Sequence, residues 1–379
     1  MKVDFSGGQL FGMVMSAAVL AGCVSSAAVV PTPRAGPPAS SPSGAVTVPI
    51  APPVRAQTPA PQLPADPGFR RAPPGLNDRI FEIWRAFPGK TGIAVQRIDG
   101  EWAIAQRGNE LFPQQSVSKL WVVMTVLDAV DRGRLSLDQQ VRIGPEDLTL
   151  FHQPLAGRVQ AQGSVTHSVR DLIEMAVTQS DNTANDSLLR TVGGPDAVRR
   201  FIASKELGAI RFGPGERLLQ AGIAGLTWQQ SYSNGRAFQT ARAALPEATR
   251  KAAMDAYRAD PMDGASPAAI ASALTRLARG TLLSPDSTKY LLGVMERTRS
   301  GPQRLKAGLP AGWTFGHKTG TGQDFRGMTA GYNDIGIATA PDGTRYAIVV
   351  LMGEATSPVP ARMATMQSVS RAVAEFHGR

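Results

Sequence analysis

Strand-patterned segments lie near the two ends of the folding part of this chain, and helix-patterned segments fill the space between them. No other feature restricts the fold so strongly. Near the start, Ile93 to Ile98 and Trp102 to Gln106 alternate around a turn at Asp99 and Gly100. Near the end, Trp313 to Lys318, Tyr332 to Thr339 and Tyr346 to Met352 do the same, with a turn at Pro341, Asp342 and Gly343. A helical stripe of Leu76, Ile80, Ile83, Trp84 and Phe87 precedes the first pair and stops at Pro88 and Gly89, while Pro360 to His377 reads as a closing helix. These patterns predict a mixed α/β (α+β) domain. Its sheet is built from both chain ends and flanked by terminal helices, and a helical subdomain contains the middle of the chain.

The apolar residues, 42% of 379, suffice for a large core, but they are unevenly spread. From Pro31 to Pro74, 14 of 44 residues are proline, without a periodic apolar face. Such a stretch cannot bury enough surface to fold, so 23–75 is expected to be an extended tether. Ahead of it, Lys2 precedes an apolar run from Leu10 to Ala21, too short for a permanent membrane span and suited to a cleaved export signal over 1–22. The run closes on V-L-A-G-C, which resembles a bacterial lipoprotein signal and implies lipidation of Cys23. Val24, where an aspartate would retain such a protein at the inner membrane, points to the outer membrane. The expectation is an exported, periplasmic, lipid-anchored protein whose folded part, 76–379, is monomeric. Cys23 is the sole cysteine, so no internal disulfide forms. The net charge of +10 comes from interspersed signs and no run resembles a nucleic-acid module. His152, His167, His317 and His377 are dispersed without ligand spacing, so no metal is expected.

Three short motifs carry chemistry. Ser116-Val117-Ser118-Lys119 opens a strongly apolar run, and residues three apart share a helix face, so the Lys119 amine can meet the Ser116 hydroxyl and activate it as a nucleophile. Ser180-Asp181-Asn182 follows an apolar helical segment; Ser180 suits proton relay toward a departing nitrogen, Asn182 suits a substrate amide, and Asp181 suits a structural cap. His317-Lys318-Thr319-Gly320-Thr321-Gly322 sits at a strand end. There Lys318 and Thr319 can bind a carboxylate, Gly320 leaves room for a ligand along the strand, and the Thr321 N–H can join that of Ser116 as an oxyanion hole. Each motif alone is common. Their order, with spacings of 64 and then 138 residues, is not.

S-x-x-K, S-D-N and K-T-G in this order resemble the class A serine β-lactamases and penicillin-binding proteins. Leu111 to Lys119, S-D-N-T-A-N at 180–185, Gly193-Gly194-Pro195, Pro310 to Trp313 and Asn333-Asp334-Ile335 strengthen the likeness over 76–379. The resemblance implies a β-lactamase/transpeptidase-like antiparallel sheet, a β-lactam antibiotic as substrate and no cofactor. It also implies a glutamate 36 residues after Ser180, which is Glu216 in E-R-L-L-Q, to activate the deacylating water.

Two departures accompany that glutamate. Gln220 stands where an asparagine usually positions the water, and Pro214 stands where an arginine usually pairs with the aspartate closing the loop, leaving Asp263 without that partner. The chain is also longer than the family pattern over approximately 221–263, an atypical insertion with a helix-like stretch from Ala237 to Tyr257. Phe151 is expected as a pocket wall and Arg326 as a carboxylate ligand. The leading reading is hydrolysis through a Ser116 acyl-enzyme. A penicillin-binding DD-peptidase or transpeptidase, or a related serine esterase, would use the same serine and lysines.

Overall fold

The chain enters its fold through a helix and a hairpin. The computed structural model describes residues 72–100 and 102–378; the export segment, Cys23 and the tether as far as residue 71 lie outside the described residues. Helix α1 (Leu76–Ala86) turns Leu76, Ile80 and Ile83 onto one buried stripe, as the sequence period requires. Strands β1 (Lys90–Arg97) and β2 (Ala103–Gln106) then pair antiparallel, with Ile93 opposite Gln106. A 3-10 turn at Gln115–Ser118 feeds α2 (Lys119–Asp131), in which every residue from Lys119 to Ala129 is buried. A helix hidden on all sides belongs at the centre of a domain, and α2 is that centre.

The middle of the chain wraps α2. It holds β3 (Gln140–Ile143), α3 (Leu155–Gln162), β4 (Val165–Ser168), α4 (Val169–Glu174), α5 (Asn182–Thr191), α6 (Pro195–Ser204) and α7 (Glu216–Ile223). The β3–β4 ladder was not foreseen, because four-residue strands leave too little alternation to read. The predicted helix from Ala237 to Tyr257 is two helices, α8 (Ala237–Ala244) and α9 (Glu247–Ala259). Leu245 before Pro246 is extended, as a residue preceding proline should be, and this divides them. Both helices have apolar anchors. Phe238 of α8 packs with Leu150 and Ala224, while Met254 and Tyr257 of α9 pack with Leu219 and Ile223 of α7.

The chain closes through α10 (Pro267–Ala278), α11 (Pro285–Glu296), β5 (Thr314–Thr321), a minimal hairpin β6 (Asp324–Phe325) and β7 (Met328–Thr329), β8 (Tyr332–Thr339), β9 (Arg345–Glu354) and α12 (Val359–Glu375). The main sheet runs β2-β1-β9-β8-β5 and is antiparallel throughout, so the two chain ends do form one sheet. Alternate residues of β9 serve separate cores. Ala347, Val349 and Leu351 join the core around α2 and α10, and Ile348, Val350 and Met352 join the core beneath α1 and α12. Because β9 and β8 are covered on both faces, the site falls to the sheet margin, where edge strand β5 lies against the turn carrying Ser116.

Candidate active site

The chain bends sharply before Ser116. Gln115 has φ 54°, a left-handed conformation that costs a non-glycine residue energy and persists only where contacts impose it. Its N–H donates to Asp263 Oδ2 at 2.8 Å, and Gln114 Nε2 donates to the Asp263 carbonyl, so the bend is tied to residue 263 from two sides. One turn later, Lys119 is fully buried and its Nζ donates to Ser116 Oγ at 2.5 Å and to Asn182 Oδ1 at 2.6 Å. Glu216 Oε1 lies 2.8 Å from the same nitrogen. Three acceptors thus meet the three protons of an ammonium, the condition under which a buried cation is tolerable. Local order along a helix brings Ser116 to Lys119; only tertiary packing brings Asn182 and Glu216.

Ser180 is aimed by an irregular backbone. Helix α4 widens into a π turn at Met175–Gln179, and Ser180 follows in the left-handed region with φ 60° and ψ 31°. Asp181 then caps α5, accepting from the amides of Ala184 at 2.9 Å and Leu155 at 2.8 Å; burial raises its carboxyl pKa. Across the cleft, Lys318 Nζ donates to Ser180 Oγ at 2.9 Å and to the Thr319 carbonyl at 3.0 Å. Burial, then repulsion from Lys119 and Arg304, pushes the Lys318 amine well below the usual lysine range, which favours its giving up a proton. Thr319 exchanges a hydroxyl hydrogen bond with Ser300 at 2.8 Å.

Part of this set lines a cavity of about 550 Å3. Ser116, Ser180, Asn182, Glu216, Gln220, Thr319 and Thr321 reach it, and the half-exposed Phe151 forms part of its wall, set edge-on to Phe238 of α8. Two expected ligands are placed otherwise. Arg326 points away from the cavity and pairs with Glu247, its side chain 67% exposed. At Gly320 a Cβ would meet the Gln114 carbonyl oxygen at 2.3 Å, so the missing side chain makes room for the nucleophile turn against β5 rather than for a ligand.

Arg304 and Arg242 are cavity cations that sequence reasoning missed, and Arg304 is the one held against β5. Arg304 is buried, donates to the carbonyls of Gly320 at 3.0 Å and Asn333 at 2.6 Å and to Thr321 Oγ1 at 2.6 Å, and stacks 3.9 Å above the Tyr332 ring. Among the described residues no carboxylate pairs with it within salt-bridge distance, so its charge adds to that of Lys318 on the side of the cavity formed by β5. Nothing in the unpatterned loop from Arg297 to Arg304 marks it in the sequence. His317, by contrast, sits behind β5, with Nδ1 2.9 Å from Asp334 Oδ1 and both side chains fully buried. It supports the strand without lining the cavity.

Asp263 does not lack a partner. Tyr257 of α9 donates to its Oδ1 at 2.9 Å, and burial raises the Asp263 carboxyl to about 6. Gln220 Nε2 stands 3.3 Å from Glu216 Oε2, so the longer amide still reaches the glutamate.

The chain matches the family described as "Beta-lactamase enzyme family" over residues 75–377. It is 30% identical to the extended-spectrum beta-lactamase PER-1 of Pseudomonas aeruginosa over 80% of this chain and 87% of that one. It is 27% identical to the beta-lactamase VEB-1 of the same organism, over 74% and 82%. Among solved structures, a beta-lactamase from Chitinophaga pinensis DSM 2588 superposes with a TM-score of 0.65 at 28% identity, covering 79% of this chain and 98% of that one.

One further carboxylate shapes the electrostatics around Glu216. Asp186 Oδ1 accepts the Glu216 backbone N–H at 3.2 Å, and burial, followed by repulsion from Glu216, raises its carboxyl from 3.8 to about 6. Between these values the folded protein keeps a proton that the unfolded chain has released, so this group's contribution to stability falls as pH rises from about 4 to 6. Asp186→Asn removes that penalty while keeping an acceptor oxygen. Melting temperatures of the two proteins should coincide near pH 4 and diverge above pH 6 with the variant higher; a difference independent of pH would contradict the assignment.

Proposed function

Because the chain belongs to the beta-lactamase enzyme family, we propose that it hydrolyses the β-lactam amide through an ester on Ser116 and clears that ester with water activated by Glu216. The observation that carries this reading is the buried Lys119, whose Nζ sits within 2.8 Å of both the nucleophile and the glutamate. In acylation, Ser116 Oγ bonds to the lactam carbonyl carbon and its proton passes into the Lys119–Glu216 pair. The oxyanion is held by the backbone N–H groups of Ser116 and Thr321. As the C–N bond breaks, the ring nitrogen takes a proton from Ser180, Lys318 replaces it, and the proton held by the Lys119–Glu216 pair returns to Lys318, so that both are restored before deacylation. In deacylation, Glu216 removes a proton from water beside Gln220, the water oxygen attacks the ester, and Ser116 recovers its proton. One water has been added across the amide.

Binding follows the charges. Lys318 and Arg304, with Thr319 and Thr321, receive the carboxylate of the antibiotic, Asn182 its side-chain amide, and Phe151 its apolar edge. A penicillin-binding transpeptidase would share the serine and both lysines, but passes its acyl group to an amine and has no need of a glutamate that activates water. We also propose export and lipidation at Cys23, from the V-L-A-G-C segment, with the proline-rich stretch as tether to the outer membrane. Among the described residues no helix is long and apolar enough to cross a membrane.

Intact mass followed over time with a penicillin and a cephalosporin tests the chemistry. The native protein should release many product molecules without a lasting adduct, whereas Glu216→Gln should hold a stoichiometric adduct and lose about 10²–10⁴-fold in kcat. A native adduct persisting for minutes without turnover would overturn the reading in favour of a peptidase. Arg304→Ala should raise KM about tenfold or more for carboxylate-bearing substrates and alter kcat far less; an unchanged KM would remove Arg304 from the binding set. Cys23→Ser should move the exported protein from the detergent phase to the aqueous phase, and equal partitioning of both would exclude the anchor.

A further inference from the structure

The inserted helix α9 enters the hydrogen-bonded network beneath the active site through Tyr257. Tyr257 is buried, and its hydroxyl stands between Asp263 and Gln115, the residue immediately before the nucleophile. Asp263 as a carboxylate can only accept, and it takes the Tyr257 proton at 2.9 Å and the Gln115 backbone N–H at 2.8 Å. The tyrosine oxygen is thereby left as an acceptor, and Gln115 Nε2 donates to it at 2.6 Å. A glutamine amide has a donor end and an acceptor end. With its donor end held by Tyr257, Gln115 must present Oε1 to α7, where it accepts from Gln220 Nε2 at 2.9 Å. The Gln220 NH₂ group, so oriented, also faces Glu216 Oε2 at 3.3 Å, and its own oxygen accepts from Gln323 Nε2 at 3.0 Å. Each step fixes the direction of the next. A reversed Gln220 would set its carbonyl oxygen against the Glu216 carboxylate.

We propose that Tyr257 is a positioning residue for deacylation: by fixing the polarity of the Asp263–Tyr257–Gln115–Gln220 relay, it holds the Gln220 amide donor toward Glu216. The relay rests on the reading of Glu216 as the water-activating group. It gives the insertion a function, since α9 supplies the support at Asp263 that an arginine at position 214 would otherwise give, and carries it on to the glutamate. Lys119 reaches Ser116 directly and Glu216 through its other oxygen, Oε1, so those two contacts are made without Tyr257.

The test separates the two half-reactions in the full chain. Tyr257→Phe removes one hydroxyl and leaves the ring in its apolar setting beside Leu219, Ile223 and Met254. Stopped-flow and time-resolved intact mass should show acyl-enzyme accumulating and kcat falling about tenfold or more, while the acylation rate constant stays within about threefold of native. Asp263→Asn lets residue 263 donate to the tyrosine oxygen, reverses the relay and should produce the same split. The double variant should be no slower than the worse single variant, because all three break one chain. Lys251→Ala, on the exposed side of α9, should match native protein. Acylation and deacylation reduced in equal proportion, or Tyr257→Phe deacylating like native protein, would overturn the relay. Should Tyr257→Phe fail to fold, native deacylation by Asp263→Asn overturns it alone. Failure of the native protein itself to turn over would instead overturn the proposed function.

Discussion

An ammonium group removed from water must find a full set of acceptors, and Lys119 finds them on three different segments. Ser116 belongs to the 3-10 turn before α2, Asn182 to the first turn of α5, and Glu216 to the first turn of α7. Losing one acceptor would leave part of a buried charge unanswered, a penalty of several kcal/mol in most proteins. The contacts of Lys119 that carry the proposed activation of Ser116 therefore also fasten the α5 and α7 segments to the central helix.

The sheet sets where that cluster can open to substrate. Strands β9 and β8 are committed to cores on both faces, so only the margin of the sheet is available, and β5 occupies it. Gly320 lets β5 approach the nucleophile turn closely enough for Lys318 to meet Ser180 from the opposite wall. Arg304 and Arg242 line the cavity together with Glu216 and Asp324, while Lys119 and Lys318 are fully buried and donate to Ser116 and Ser180 of its lining. Burial, then repulsion from Lys119 and Arg304, lowers the Lys318 amine, and Arg304 leaves a positive charge at the cavity wall.

The segment 221–263 is integrated rather than peripheral. Phe238 of α8 backs Phe151 at the cavity mouth, and Tyr257 of α9 answers Asp263 beneath the nucleophile turn. With Asp263 answered by a buried hydroxyl and by Gln114 and Gln115, the support of this segment rests on the packing of α7 against α9. The left-handed Gln115 belongs to the same support, since the bonds from residues 114 and 115 to Asp263 hold that bend in place.

Where chemistry follows from local periodicity, the sequence determined it. The strands at both chain ends, the S-x-x-K pair three residues apart and the capping Asp181 were legible because each depends on spacing along the chain, whereas Glu216 was reached through the family resemblance. What depends on which segments meet was not legible. Nothing local marks Arg304 as a cavity cation or separates it from the exposed Arg326, Gly320 gave no sign that it faces protein rather than ligand, and the partner of Asp263 lay on a helix whose register only packing fixes. Side-chain spacing is a property of the backbone, whereas the pairing of buried polar groups is decided by the tertiary fold, which must satisfy all of them at once.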